Sequence, residues 1–152
     1  NKNASFELYK RAYHVLTEAK RVLDFKKVCN DENLNDDTKI QTLGKYMNES
    51  HLSCKMYYDC SSIELDEITQ LARDSGALGS RLTGAGWGGC SVSLVKKDIL
   101  GEFIDKMYTY YTKKREPGQE LWITDDLDRY IFATEPAQGA CVINPQYTLW
   151  QV

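Results

Sequence analysis

Two histidines and no Cys-x-x-Cys pair leave this sequence little with which to build a structural metal site. The five cysteines, Cys29, Cys54, Cys60, Cys90 and Cys141, are odd in number and scattered. That pattern argues against a disulfide framework and for reduced thiols in a cytoplasmic setting. Proline occurs only three times, which does not suit a disordered or fibrous chain. No stretch reaches the roughly 18 consecutive apolar residues of a membrane span, and Asn1-Lys2-Asn3-Ala4 opens no signal-peptide core. Positive charge in bulk is missing too. Nineteen basic against 22 acidic side chains give −3, a balance that draws neither nucleic acid nor an anionic membrane. The short basic clusters Lys26-Lys27, Lys96-Lys97 and Lys113-Lys114-Arg115 read as solvated helix faces.

What is present is an ordinary globular balance, 42% hydrophobic and 27% charged, in 152 residues that suit one domain. Residues 5–29 carry Phe6, Tyr9, Ala12, Tyr13, Leu16, Ala19, Leu23 and Val28 at helical steps, and those residues are expected to form the buried face. After the polar stretch 30–37, Asp36 or Asp37 is expected to cap a second helix reaching about Lys55. Ile40, Leu43, Met47 and Leu52 would form its buried side, and Gly44 reads as a tolerated interior glycine. Ser61 or Ser62 should cap a third helix over 62–75, with Ile68, Leu71 and Ala72 inward. The texture changes at Ser75-Gly76. Period-two alternation predicts strands at 90–95, 129–134 and 139–143, with a helix over 98–114 carrying Ile99, Phe103, Met107 and Tyr110 on one face. Helices grouped early and strands late imply an α+β fold, helices packed on one face of an antiparallel sheet.

Half of the ten glycines fall within Gly79-Ser80-Arg81-Leu82-Thr83-Gly84-Ala85-Gly86-Trp87-Gly88-Gly89. Such density implies positive φ or close backbone approach, and consecutive N–H groups in that geometry can line an anion. A glycine-kinked strand packed on something bulky is the alternative. Gly84-x-Gly86-x-x-Gly89 has the form of a dinucleotide fingerprint, but a strand rather than a helix follows it. A P-loop ending and the downstream protein-kinase segments are absent as well.

The segment from Gly79 to Cys90 resembles the third signature of the GHMP small-molecule kinases in its galactokinase form. Met47-Asn48-Glu49-Ser50-His51, Tyr58-Asp59-Cys60-Ser61-Ser62-Ile63-Glu64-Leu65-Asp66 and Phe132-Ala133-Thr134-Glu135-Pro136-Ala137-Gln138-Gly139-Ala140 also look like galactokinase sequence. His51-Leu52-Ser53-Cys54 and Met56-Tyr57-Tyr58 resemble N-acetylgalactosamine kinases more. Ile63 departs from the pattern, standing where proline is usual. The resemblance implies a C-terminal GHMP kinase domain of ferredoxin-like fold. It would be one lobe of a cytoplasmic enzyme that transfers the γ-phosphoryl group of ATP, with Mg²⁺, to the anomeric hydroxyl of galactose or N-acetylgalactosamine. The partner of this lobe would be its own N-terminal lobe, which in the family carries the catalytic groups and the main phosphate loop. Neither of those signatures occurs here, and the sequence opens without methionine, so residues 1–152 are expected to be a catalytically silent piece. A non-catalytic sugar and ATP sensor, or an independent α+β ligand-binding module, remain as alternatives.

By that resemblance Thr83, Gly84, Ala85 and Gly86 are expected nearest to substrate phosphate. Gly79, Ser80, Arg81, Gly88 and Gly89 would support the loop, Gly88 and Gly89 by permitting close packing. Arg81 is either a phosphate ligand or half of a salt bridge, the latter preferred, and Ser80 reads equally as a turn residue. Trp87 is read as core rather than cleft lip. His51 and His14 are read as structural, with no aspartate partner for His51 evident in the sequence. Asp59 and Asp66 are read as an acidic pair or, preferably, as capping and surface charges. No residue of this chain is assigned a catalytic or metal-binding role.

Overall fold

The structure is a computed structural model that describes residues 6–113 and 130–136. The chain divides into two compact units, Asn1–Glu116 and Pro117–Val152. The first unit runs α1 (Leu8–Asn30), α2 (Asp36–Ser53), a π-helical turn (Cys54–Tyr58), α3 (Ile63–Asp74), β1 (Gly79–Thr83), β2 (Cys90–Leu94), a 3-10 turn (Lys97–Ile99) and α4 (Leu100–Lys113). This is the α+β arrangement expected from the change of periodicity near Gly76.

Local chemistry sets the boundaries. Asn35, not Asp36 or Asp37, caps α2 by accepting the Thr38 N–H at 2.8 Å. The two aspartates sit instead in the first turn, where the positive end of the helix dipole favours them. Ser62 caps α3 through the Leu65 N–H at 3.2 Å. The π turn ends at Asp59, whose left-handed backbone (φ 55°) lets the Cys60 N–H return to the Cys54 carbonyl at 3.1 Å.

The two strands pair antiparallel, from Gly79 opposite Leu94 to Thr83 opposite Cys90. Strand β1 occupies the start of the glycine-rich segment, and its free edge is closed by a helix. The Ser80 N–H donates to Asn48 Oδ1 at 2.9 Å and the Leu82 N–H to His51 Nδ1 at 3.2 Å, while Asn48 Nδ2 donates to the Leu78 carbonyl at 3.2 Å. Two α2 side chains one helical turn apart therefore replace a neighbouring strand and satisfy an otherwise open edge. Gly44 and Gly79 allow that approach. A Cβ on Gly44 would lie 2.5 Å from the Leu78 oxygen, and one on Gly79 would lie 2.6 Å from the Gly44 Cα. Gly44 is thus a contact point, not a tolerated interior glycine.

The buried face of α2 is Gly44, Ser50, His51 and Ser53, whereas Leu52 is 56% exposed. The expected Ile40, Leu43 and Met47 are half-buried, because the strand edge calls for small and polar groups against it. Leu65, Ala72, Leu82, Cys54, Cys60, Phe103 and Met107 form the apolar interior, the last two lying on α4 as its periodicity predicts. Helix α1 departs furthest from expectation, since none of its residues is buried. Its inward side is polar: Arg11 donates to the Tyr57 carbonyl at 2.6 Å, and His14 Nδ1 stands 2.9 Å from Ser53 Oγ. Of the apolar residues expected to pack, Tyr9, Leu16 and Leu23 are all more than half exposed, while Val28 is half-buried and the Tyr13 ring lies 4.6 Å from that of Tyr57.

In the second unit, residues 130–136 form a turn, a bend and irregular backbone rather than the strand expected over 129–134. Alternation marks two faces, but a strand exists only where a ladder of hydrogen bonds forms, and none forms among the described residues of this unit. The expected strand at 139–143 lies outside the described residues.

Candidate functional site

Residues 84–89 connect β1 to β2. Gly84, Gly86, Trp87, Gly88 and Gly89 all have positive φ, at 79°, 84°, 55°, 138° and 87°. Glycine adopts that backbone freely, while tryptophan there costs on the order of 1–2 kcal/mol and persists only where neighbours impose it. The neighbours are Asp59 and Cys60. The Trp87 N–H donates to the Cys60 carbonyl at 2.7 Å, and the indole Nε1–H donates to the Asp59 carbonyl at 2.8 Å. Gly86 presses on the same place, since a Cβ would meet the Cys60 carbonyl carbon at 2.9 Å and its oxygen closer still. The turn is strapped to the end of the π turn.

Around Gly84, Gly88 and Gly89 a Cβ would find nothing within 4 Å. Positive φ alone requires glycine at these positions. Within this chain the close approach is at Gly86 and not at Gly88 or Gly89. Trp87 is corrected: it is 66% exposed, a lip on the turn rather than core, because its indole is tied to a surface carbonyl.

Thr83, Gly84 and Ala85, at the head of this turn, are exposed. Successive backbone N–H groups in positive-φ geometry are a feature that can line an anion. Beneath it the hairpin is rigid. Ser80, fully buried, lies 2.9 Å from Ser93 Oγ across the strands, so it is a strand residue and not a turn residue. Arg81 donates to Glu18 Oε1 at 3.1 Å and, through Nε, to the Leu82 carbonyl at 2.9 Å. Glu18 also accepts from Ser50 Oγ at 2.5 Å and pairs with Arg21, which ties α1, α2 and β1 at one carboxylate. Burial pushes the Cys54 thiol up to about 11, with the adjacent Cys60 reinforcing the effect, so that thiol is an inert packing group.

His51 has the aspartate partner that the sequence did not reveal. Its Nε2 lies 3.2 Å from Asp66 Oδ1 and 3.0 Å from Thr69 Oγ1, and Asp66 also receives Ser61 Oγ at 2.7 Å and Lys55 Nζ at 2.8 Å. Asp59 pairs instead with Arg11 at 2.7 Å, so the two aspartates serve different networks. His14 stacks on Tyr58, with ring centroids 4.7 Å apart. The contributions of Asn48 and Glu18 were missed from sequence. Both are ordinary polar residues on helices, and only the strand edge and Arg81 give them meaning.

Residues 32–113 match the family described as GHMP kinases C terminal. The chain belongs to that family. The chain is 44% identical to the galactokinase of Dictyostelium discoideum, over 91% of this chain and 30% of that protein. It is 39% identical to the galactokinase of Saccharomyces cerevisiae, over 90% of this chain and 26% of that one. The crystal structure of Lactococcus lactis galactokinase complexed with galactose matches with a TM-score of 0.61 at 32% identity, over 72% of this chain and 27% of that chain. The chain therefore spans less than a third of the length of these relatives. Among its described residues no group of three or more histidine, cysteine, aspartate or glutamate side chains is placed to hold a metal ion, and no helix is long and apolar enough to cross a membrane.

Proposed function

We propose that this domain is the C-terminal lobe of an ATP-dependent sugar-1-kinase acting on the anomeric hydroxyl of galactose or N-acetylgalactosamine. The observation that carries the reading is the 84–89 turn, a run of positive-φ backbone held in place by the Asp59 and Cys60 carbonyls, with Thr83, Gly84 and Ala85 exposed. Phosphoryl transfer depends on positioning and on neutralising charge at the transferring group. Donors whose orientation is fixed in advance supply that at no reorganisation cost during the reaction. The Thr83 hydroxyl and the Gly84–Gly86 amides are the groups of this chain offered to phosphate oxygens. Mg²⁺ would screen phosphate charge in the complete kinase. The described residues of this lobe offer no cation site, so the ion is assigned to the remainder of the protein.

The catalytic groups are likewise assigned to the rest of the polypeptide. An ATP-coupled assay with both sugars tests the reading. The complete protein should turn over one or both sugars, and residues 1–152 alone should turn over neither. Sugar-dependent turnover by the isolated chain would overturn this division of labour.

A further inference from the structure

We propose that His51 is a positioning residue for the glycine turn, holding the last stretch of β1 through its Nδ1 acceptor and so fixing where Thr83–Gly86 stand. Its kinetic consequence rests on the kinase reading above; its structural part does not.

The case starts from the strand edge. The Leu82 N–H points away from β2 and has one acceptor, His51 Nδ1 at 3.2 Å. A backbone N–H can only donate, so Nδ1 carries a lone pair and the proton of the neutral ring resides on Nε2. Nε2–H then faces Asp66 Oδ1 at 3.2 Å and Thr69 Oγ1 at 3.0 Å. Thr69 spends its own proton on the Leu65 carbonyl at 2.9 Å, which leaves its oxygen free to accept. Every atom of the imidazole edge is thereby committed, on a side chain only 5% exposed.

Leu82 is followed directly by Thr83 and the turn, and the other end of the turn is pinned at Cys60. His51 is the side chain that joins α2 and α3 to the Leu82 amide, the last strand amide facing away from β2 before the turn. A second ring proton would put two donors nose to nose at Leu82. The charged groups acting on the ring are Asp66 and Arg73 from α3 and Lys55 from the π turn, while β1 presents the Leu82 amide. Asp66 favours the charged ring, but burial outweighs it, and both cations oppose it.

Nitrogen-15 NMR of the 152-residue chain reads the tautomer without any substitution. The expected result is a His51 ring protonated at Nε2 and bare at Nδ1, with the Leu82, Thr83 and Gly84 amide signals moving together as His51 titrates. Two substitutions separate the ends of the ring. In His51→Asn the amide oxygen replaces Nδ1, and Leu82 should keep its exchange protection. In His51→Gln the amide nitrogen replaces Nε2, and Leu82 protection should fall at least tenfold. In the complete kinase the glutamine variant should raise KM for ATP several-fold above the asparagine variant at equal folded fraction. A ring protonated at Nδ1, or equal Leu82 protection in both variants, overturns the proposal whether or not the protein proves to be a kinase. Distinct protection with identical KM values would instead count against the turn as an ATP site, while leaving the role of His51 in the strand standing.

Discussion

Replacing Gly44 by alanine should destabilise the domain, although it is the change that helix propensity recommends most strongly. In an exposed helix interior Gly→Ala gains about 1 kcal/mol. At Gly44 the new methyl would sit 2.5 Å from the Leu78 oxygen, 2.6 Å from its carbonyl carbon and 2.8 Å from its Cβ. Carbon and oxygen need more than 3 Å, so α2 must retreat from β1 by several tenths of an ångström or the strand must bend. Overpacking of this kind costs about 1–3 kcal/mol. Retreat also stretches the Asn48 and His51 bonds to the strand, each worth about 1 kcal/mol net. After subtracting the propensity gain, the expected loss is about 1–3 kcal/mol, or a Tm roughly 3–10 °C lower. Gly101→Ala is the internal control, since Gly101 lies in α4 with nothing within 4 Å of a prospective Cβ. That change should stabilise by up to about 1 kcal/mol. Urea and thermal melts followed by far-ultraviolet circular dichroism on both variants decide the matter. A Gly44→Ala variant that gains stability alongside Gly101→Ala would falsify the close α2–β1 contact.

Further outcomes follow from the turn and its supports. Gly86→Ala should cost more than about 2 kcal/mol of stability, because the Cys60 carbonyl cannot give way. Gly84→Ala should lose only the roughly 1 kcal/mol of a left-handed alanine yet lower kcat/KM of the complete kinase at least tenfold. Equal melts for the two, or activity tracking folded fraction alone in Gly84→Ala, would refute this separation. Glu18→Ala strands Arg81, Arg21 and Ser50 at once and should destabilise by about 2–3 kcal/mol, whereas Glu18→Gln, which keeps an acceptor, should lose about half as much. Indistinguishable urea midpoints for those two would remove Glu18 from the support of β1. Burial holds both His51 and His14 below the usual histidine range. The unfolded chain therefore takes up protons first as pH falls through about 6.5, so stability should be fully present above that pH and decline below it. The slope is at most about 1.4 kcal/mol per pH unit for each ring. Urea midpoints measured from pH 7.5 to 5 should show a shallower decline in His51→Asn, with the His14 part remaining, and an unchanged decline in that variant would contradict it.

Much of the α+β layout was legible because two periods dominate the sequence, helical spacing before Gly76 and alternation in Ser91-Val92-Ser93-Leu94 after it. Ser62 and the Phe103–Met107 face were equally plain, since capping and amphipathicity are local properties. Helix α1 shows where that reasoning stops. Periodicity locates an apolar stripe but not the surface that covers it, and the neighbours of α1 within this unit are reached by its polar side through Arg11, His14 and Glu18. Strand β1 was obscured for the opposite reason. Gly79 and Ser80 look like turn chemistry, yet the glycine serves the helix contact and the serine is buried beside Ser93.

At the candidate site, glycine density and the family resemblance together pointed to the 79–89 segment but could not apportion its glycines. The same residue type answers two different demands there: a backbone angle at Gly84, Gly88 and Gly89, and a missing side chain at Gly86. Only the position of Cys60, 26 residues earlier, separates the two demands. The same holds for Asn48 and His51. One helical turn apart, they are unremarkable until a strand edge is laid across them, and then each becomes the sole acceptor for a particular amide among the described residues. The resulting order of support runs from Glu18 and Asn48 through His51 and Leu82 to the turn. The backbone leading into an exposed turn is thus held by buried and half-buried bonds from α1 and α2. That arrangement lets a surface loop hold a fixed geometry, and it is why the Leu82 amide, although it touches no substrate, is the place to measure whether the turn keeps its shape.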